Sequence, residues 1–220
     1  MKKAMDIFGE AIYSFWKGDK SKFYLLDQKN EKSLIDFGRY FRNYKQLSRI
    51  EKKLISLSYG NILDIGCATG YYVPFLMKNG KVVAIDISSK LIKIAQENGL
   101  RNCQVADIFK FKPKRKFDTI TLLENGLGMA GKVNRVKDFL KTLVNLLEKD
   151  GQILLISRRI ENKDFFEVEL RPFWKEKIGA KFKWVHLNIS FITKLCREIN
   201  LNLKIIDKDE FNYLSKITRQ

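Results

Sequence analysis

From about residue 60 onward, short apolar runs alternate with stretches of helical periodicity, and this alternation constrains the fold more than any other feature. Runs of four to seven apolar residues suit strands that are buried on both faces. Strands that alternate with helices predict a parallel sheet covered by helices on both sides. The five runs are NILDI, KVVAID, NCQVAD, FDTITLL and GQILLIS.

The helices between these runs are expected to end at Asn-Gly and Asp-Gly dipeptides. Asn98-Gly99 should stop one helix, and Asp150-Gly151 should stop the long helical stretch VNRVKDFLKTLVNLLEK before the fifth strand. Near the end of the chain, LKIIDKD and FNYLSKIT follow each other so closely that they are predicted to pair antiparallel. Together these elements predict a single α/β domain with a doubly wound sheet.

Residues 1–58 have a different pattern and are predicted to form a cap. An amphipathic helix is expected over residues 4–17, ended by Gly18. KFYLL and KSLIDF flank the polar DQKNE and predict a short hairpin. A second helix is expected over residues 44–57.

The main domain is predicted to span residues 59–220. It contains an insertion at about 158–187 that is aromatic and basic, without clear periodicity. We expect this insertion to be irregular and to lie on the substrate side of the domain.

Composition excludes several classes of protein. No apolar run approaches the roughly 20 residues that span a bilayer, and charged residues interrupt the amino-terminal apolar positions. The three cysteines are far apart, so neither a disulfide framework nor a metal site is predicted. A cytoplasmic protein without a membrane partner is expected. The net charge of +17 suits a polyanion partner, but the lysines are scattered along the chain, which favours solvated faces over a nucleic-acid site.

The stretch ILDIGCATG places two glycines directly after a strand. Ligands bind at the carboxyl ends of parallel strands, and Gly66 and Gly70 would let a ligand approach the backbone. The spacing is GxxxG, which lacks the third glycine of the dinucleotide fingerprint and so disfavours a nicotinamide enzyme.

Acidic residues stand at the ends of three successive strands. Asp64 and Asp86 end the first two, and Asp107 ends the third. One such acid is commonly a helix cap, but three in succession favour a nucleoside site, in which the carboxylate at position 86 accepts both ribose hydroxyls.

Taken in order, ILDIGCATGYY, VVAIDIS, QVADIFKF and KFDTITLLENGLGMAG resemble the motifs of class I S-adenosylmethionine-dependent methyltransferases. The resemblance runs from about residue 61 to 157, and the flanks YFRNY and FKWVHLN are similar to a prokaryotic branch of that family. It implies a Rossmann-like sheet of seven strands, six parallel and the last antiparallel, behind a helical and hairpin cap. It also implies a methyltransferase with S-adenosyl-L-methionine as cofactor.

The resemblance assigns cofactor-binding roles residue by residue. Asp86 would hold the ribose, Ile87 would pack on the adenine, and Asp107 with Ile108 would border that ring. Glu124 and Asn125 would orient the methionine ammonium or the acceptor. Where many relatives have Cys-Gly this chain has Cys67-Ala68, so a tighter loop is expected. The methionine part would be cradled by Asp64, Gly66, Cys67, Ala68 and Gly70.

Candidate substrate residues come from three segments. Tyr40, Phe41 and Arg42 are predicted to form a lid, because an exposed aromatic pair followed by a cation suits a cover over a cleft. The segment after the fourth strand contributes residues 124–129, and the insertion contributes aromatic residues. The predicted substrate contacts are Tyr40, Arg42, Asn125, Met129, Trp174 and Trp184.

Two residues are candidates for catalysis. His186 is the only histidine and could act as general base, or it could be an ordinary strand residue. Glu124 could orient a hydroxyl or amine, or it could belong to a helix-capping turn. Methyl transfer needs mainly positioning and exclusion of water, so a base is optional.

The predicted function is methylation of a small-molecule acceptor on oxygen or nitrogen, and a basic pocket rim suits an anionic acceptor. The fourth-strand segment lacks the Pro-Pro-aromatic signature of nucleic-acid amino methyltransferases. RNA or protein methylation, and a non-catalytic adenosylmethionine-binding module, stay open as alternatives. A closed aromatic pocket would favour the small molecule, an open basic groove RNA, and a plugged pocket the binding module.

Overall fold

The structure, a computed structural model, describes residues 2–220. The amino-terminal segment forms a helix, a hairpin and a second helix, as predicted. The second helix begins later than expected, because Ser48 caps it: its hydroxyl accepts a hydrogen bond from the Glu51 N–H while the Glu51 carboxylate accepts one from the Ser48 N–H. The bounds are α1 Lys2–Trp16, β1 Phe23–Leu26, β2 Lys32–Ile35 and α2 Arg49–Leu57.

The rest of the chain contains four α-helices and ten strands. The helices are α3 Val73–Leu76, α4 Ser89–Glu97, α5 Val136–Asn145 and α6 Ile189–Arg197. The strands are β3 Gly60–Ile65, β4 Gly80–Asp86, β5 Cys103–Val105, β6 Phe117–Leu122, β7 Leu147–Arg158, β8 Phe165–Trp174, β9 Lys177–Ile178, β10 Phe182–Leu187, β11 Leu201–Lys208 and β12 Asn212–Arg219.

The larger sheet has seven strands in the order β11-β12-β7-β6-β3-β4-β5. The strands β3 to β7 pair parallel with their neighbours, whereas β12 pairs antiparallel with both β7 and β11. Six strands therefore run in one direction and β12 runs against them. The predicted doubly wound α/β sheet is confirmed. It brings the carboxyl ends of β3, β4, β5 and β6 to one edge.

One predicted helix boundary is wrong. Helix α5 ends at Asn145, and strand β7 already runs through Asp150-Gly151. The reason is local: Leu147 is fully buried and pairs with Phe117, which a further helical turn would prevent. Gly151 allows close approach instead of stopping a helix, since a Cβ there would lie 2.9 Å from the Phe117 carbonyl oxygen.

The expectation of an irregular insertion is also wrong. Strands β8 and β10 pair antiparallel with each other, and β8 pairs on its other edge with β1 of the cap. A second sheet results, in the order β10-β8-β1-β2, with β9 paired to β8. The segment FKWVHL does have the alternation that is typical of a strand. Phe182, Trp184 and His186 face one side of β10, and Val185 and Leu187 face the other.

Three apolar clusters stabilise this arrangement. One lies between the larger sheet and α5 and α6, and a second between that sheet and α2 to α4. The third joins α1, α4 and the second sheet, and contains Phe23, Phe37 and Trp174. None of the helices within residues 2–220 is both long enough and apolar enough to cross a membrane.

Truncation of Trp174 should test whether the second sheet depends on this third cluster. Trp174 is only 7% exposed and lies opposite Phe23 across the β1–β8 pair. Trp174→Ala should lower the free energy of unfolding by about 3–5 kcal/mol, as large core truncations do. Phe211, which is 62% exposed, is the matched control, and Phe211→Ala should change it by less than about 0.5 kcal/mol. Equal urea midpoints for both variants would contradict this role.

Candidate functional site

A cavity of about 430 Å³ lies between the two sheets, at the carboxyl ends of the parallel strands. On one side it is lined by loops that follow β3, β4, β5 and β6. On the other side the second sheet contributes apolar and aromatic side chains, and α1 contributes Met5 and Phe8. The cavity therefore has one wall with acidic groups and one largely apolar wall.

The loop after β3 is held by backbone hydrogen bonds that leave it open toward the cavity. The Gly66 N–H donates to the Ile85 carbonyl at 2.8 Å, and Gly66 has a φ of +74°. A Cβ there would be in ordinary van der Waals contact with the Met129 sulfur, at 3.8 Å. Ala68 also has a positive φ of +51°, a conformation that costs a non-glycine residue free energy.

Gly70 does not line the cavity. It has a φ of +76°, and a Cβ there would lie 2.7 Å from Leu100 Cδ1 and 3.2 Å from the Ala95 Cβ. Glycine is therefore required at position 70 for packing against α4 and the following loop. The predicted contact of Gly70 with a ligand is not supported by this placement.

Asp64 lies at the end of β3 and is 1% exposed. Its Oδ1 accepts a hydrogen bond from the Thr121 hydroxyl at 2.7 Å, whereas its Oδ2 has no partner among the described residues. Burial, with repulsion from Asp86, raises the pKa of Asp64 to about 6 despite the Thr121 hydrogen bond. A buried carboxylate oxygen without a partner at a cavity wall is suited to a donor group of a ligand.

Asp86 is the last residue of β4, and its carboxylate holds the loop after β3 through a backbone hydrogen bond. Its Oδ2 accepts from the Ala68 N–H at 3.0 Å, and its Oδ1 accepts from the Ser88 N–H at 2.8 Å. Burial raises the pKa of Asp86 overall, although these backbone hydrogen bonds oppose the shift. Ile87, Asp107 and Ile108 line the same region of the cavity.

The turn after β6 is strained. Glu124 and Asn125 both have positive φ, +52° and +59°, which is rare for successive non-glycine residues and typical of functional sites. The carboxylate of Glu124 lines the cavity and pairs with Arg39, with Arg42 Nη2 at 3.5 Å. Asn125 does not line the cavity; its side chain reaches His186 instead.

His186 lies on β10 and lines the cavity. Its ring stacks on Phe166 at a centroid distance of 4.5 Å and an interplanar angle of 15°. Burial, with the positive charge of Arg158, lowers the pKa of His186 to about 4. The imidazole is therefore neutral near pH 7, but it is a weaker base than an ordinary histidine.

The predicted substrate residues divide between the cavity and the core. Tyr40, Met129 and Trp184 line the cavity. Trp184 fits there because position 128 is glycine, since a Cβ would lie 1.9 Å from the indole Nε1. Trp174 is buried in the cluster beneath α1 and does not reach the cavity, so its predicted substrate contact is wrong.

Arg42 is also absent from the cavity wall, because an internal network holds it. Its guanidinium contacts both oxygens of Glu51, at 2.7 and 3.2 Å, and donates to the hydroxyls of Tyr71 and Tyr72. Burial opposes ionisation of Glu51, but the hydrogen bonds from Tyr72 and Arg42 lower its pKa. Tyr40 and Phe41 are half-buried instead of exposed, so the predicted exposed aromatic pair is wrong.

Several cavity residues were missed at the level of sequence. Arg39 stands next to the predicted lid residues, and its pairing with Glu124 needed three-dimensional information. Phe182 is one of the aromatic residues of the insertion, and the alternation in FKWVHL places it on the same face as Trp184. Other missed residues lie on elements far apart in the chain, among them Phe8, Leu25, Ile35, Tyr71 and Leu170.

Comparison with known proteins is consistent with this geometry. Residues 62–151 match the family described as a methyltransferase domain. An uncharacterized methyltransferase of Staphylococcus carnosus is 23% identical over 81% of this chain and 86% of its own length. A malonyl-[acyl-carrier protein] O-methyltransferase of Ilyobacter polytropus is 25% identical over 82% of this chain and 70% of its own length.

The fold is matched over nearly the whole chain by a solved structure. The S-adenosylmethionine-dependent methyltransferase of Bacteroides fragilis, in complex with S-adenosyl-L-homocysteine, gives a TM-score of 0.87 at 24% identity. The match covers 99% of this chain and 95% of the other. Residues 62–151 therefore form a methyltransferase domain, and the chain as a whole has the fold of the Bacteroides fragilis methyltransferase.

The buried carboxylate of Asp64 predicts a pH-dependent stability. Its pKa is about 6 in the folded protein and 3.8 as an ordinary carboxyl, so the folded state binds the proton more tightly. The stability that this provides is full at low pH and is lost as the pH rises through 6. Asp64→Asn, which does not titrate, should therefore stabilise the ligand-free protein by roughly 1–3 kcal/mol above about pH 7 and give no gain below about pH 4.

Urea unfolding across pH measures this difference. Asp138→Asn, at an exposed acid on α5, is the matched control for the exchange of a carboxylate for an amide. A stability difference between Asp64→Asn and wild type that is constant across pH would contradict the raised pKa.

Proposed function

We propose that the cavity binds S-adenosylmethionine and a small-molecule acceptor together, and that the protein transfers the methyl group to an oxygen or nitrogen of the acceptor. The observation that supports this most strongly is the pair of unlike walls. One wall is formed by the loops after β3 to β6, which carry the acidic side chains and include the loop of residues 66–70, called the glycine loop below. The second sheet forms an apolar surface on the opposite side of the same cavity.

The residues at the first wall fit the cofactor. The unpartnered Oδ2 of Asp64 suits the ammonium of the methionine part, and the lack of a side chain at Gly66 lets the backbone of that part approach the loop closely. Glu124 is a second carboxylate within reach of that region. When bound, S-adenosylmethionine supplies an activated methyl group on a sulfonium. Cys67 and Ala68 complete this side of the cavity.

The adenosyl half is assigned to the ends of β4 and β5. The carboxylate of Asp86 would accept hydrogen bonds from the ribose hydroxyls. Ile87 and Ile108 would contact the faces of the adenine, and Asp107 would border its edge. The Asp86 carboxylate also accepts a hydrogen bond from the Ala68 N–H. Ribose binding and the shape of the glycine loop would therefore depend on the same carboxylate.

The second wall supports a small acceptor. Leu25, Leu170, Phe182 and Trp184 give an apolar surface that excludes water from the transfer, as displacement at a sulfonium requires. The cavity is not filled by side chains, which argues against a non-catalytic binding module. A cavity enclosed by a sheet is less suited to a base of RNA than an open basic groove. The relative from Ilyobacter polytropus, named as an O-methyltransferase, supports oxygen as the acceptor atom.

Residues 1–58 are proposed to act as a cover over this cavity. Tyr40 lines the cavity, and the Thr69 hydroxyl of the glycine loop donates a hydrogen bond to its carbonyl, which couples the cover to the cofactor loop. The ion pair between Arg39 and Glu124 also ties the cover to the turn after β6. Hydrogen exchange over residues 20–45 should slow when S-adenosylhomocysteine binds; equal exchange with and without it would refute the cover.

Substitution of Asp86 should weaken cofactor binding. Hydrogen bonds to a charged group contribute about 1.5–3 kcal/mol, so Asp86→Ala should lower the affinity for S-adenosylhomocysteine at least about tenfold in calorimetric titration. The control Asp138→Ala should bind like wild type. Unchanged affinity in a folded Asp86→Ala protein would refute the ribose assignment.

The function itself is tested with methyl-labelled S-adenosylmethionine. The protein is incubated separately with low-molecular-weight metabolite extract, RNA and protein, at about 150 mM salt so that unspecific binding of nucleic acid is suppressed. Label should enter the metabolite fraction. Label in RNA or protein instead, or in no fraction although cofactor binds, would overturn the proposed acceptor class.

A further inference from the structure

His186 is held in one orientation by contacts on two sides. It lies opposite Phe166 in the β8–β10 pair, and the two rings stack. From the other side, the Asn125 side-chain Nδ2 lies 3.2 Å from the His186 Nδ1. The Asn125 backbone is itself fixed, because its N–H donates to the Ile156 carbonyl at 3.0 Å.

The contact with Asn125 favours one tautomer of the ring. In the assigned orientation of the Asn125 side chain the amide nitrogen faces Nδ1 and can only donate, so Nδ1 is the acceptor and holds a lone pair. In a neutral imidazole the proton is then on Nε2. The positive charge of Arg158, at the end of β7, disfavours a second proton on the ring.

His186 lines the cavity, and its Nε2 is a solvent-accessible atom. It makes no hydrogen bond to a described residue, and it is not among the buried polar atoms without a partner. Its neighbours on the same face of β10 are Trp184 and Phe182. The Nε2–H of His186 and the indole N–H of Trp184 are thus the donors of a largely apolar wall.

We propose that His186 binds the acceptor as a hydrogen-bond donor through Nε2–H, and that it selects apolar molecules that carry a carbonyl or carboxylate oxygen. This inference rests on the proposed function. It replaces the role of general base that the sequence suggested, because the nitrogen with the lone pair is occupied by Asn125. A site that donates one hydrogen bond from an apolar wall discriminates strongly against molecules that leave the donor unpaired.

The tautomer is measured directly by NMR of the free protein, since His186 is the only histidine. Two-bond ¹H–¹⁵N correlation at neutral pH should show a neutral ring protonated on Nε2. Asn125→Asp should reverse the tautomer, because a carboxylate accepts from Nδ1–H. A ring protonated on Nδ1, or a charged imidazolium, in the wild type would overturn the proposal whatever the protein methylates.

The selection of oxygen is measured with two probes of the same shape. Acetophenone carries a carbonyl where α-methylstyrene carries a methylene group. With S-adenosylhomocysteine bound, acetophenone should shift the Nε2 signal and bind about fivefold more tightly than α-methylstyrene. His186→Leu should abolish this preference, and His186→Gln, which retains an N–H donor, should retain part of it.

These outcomes separate the inference from the proposed function. Equal affinity of the two probes for the wild-type protein, no binding of acetophenone, or a preference that survives in His186→Leu would overturn the role of His186. None of these readouts needs methyl transfer, so a failed transfer assay with the expected tautomer and probe preference would count against the proposed function alone.

Discussion

Backbone hydrogen bonds between β1 and β8 join residues 23–26 of the cap to residues 171–174 of the insertion. The rest of the site depends on this pairing, because it places the second sheet across the carboxyl ends of the parallel strands. A glycine loop at such an edge is open to solvent by default. Here the paired segments turn it into a partly enclosed cavity with an apolar far wall, which is an environment that limits the access of water to an activated methyl group.

Several features around this cavity cost free energy. Ala68, Glu124 and Asn125 have positive φ, and Asp64 keeps a buried oxygen without a partner. Such features persist only where the surrounding structure enforces them, and the apolar clusters of the two sheets provide that support.

The sequence predicts the larger sheet well, because its strands and helices are each defined by local periodicity and the right-handed crossover limits the topology. It predicts the acids for the same reason, since the carboxyl ends of parallel strands meet at one edge. The second sheet could not be predicted, because β1 pairs with a strand that follows it by more than a hundred residues and no local pattern specifies the partner. The boundary of α5 was missed because tertiary pairing of Leu147 overrides helix propensity.

The roles of individual side chains were also hard to predict from the sequence. Gly70 suggests ligand contact by its position in the motif, yet the space that it leaves open is filled by Leu100 and Ala95. Arg42 and Trp174 have the residue types of a binding site but satisfy a buried network and a core cluster. What sequence cannot supply is the direction of each side chain relative to a cavity that two distant segments create.

A crystal structure of the complex with S-adenosylhomocysteine would show whether one cavity serves both the cofactor and the acceptor. We expect adenosine at the ends of β4 and β5, the amino-acid part over Gly66 beside Asp64, and free space between the cofactor sulfur and Trp184. A cofactor that fills the space against Trp184 and His186, or that binds outside the cavity, would contradict it.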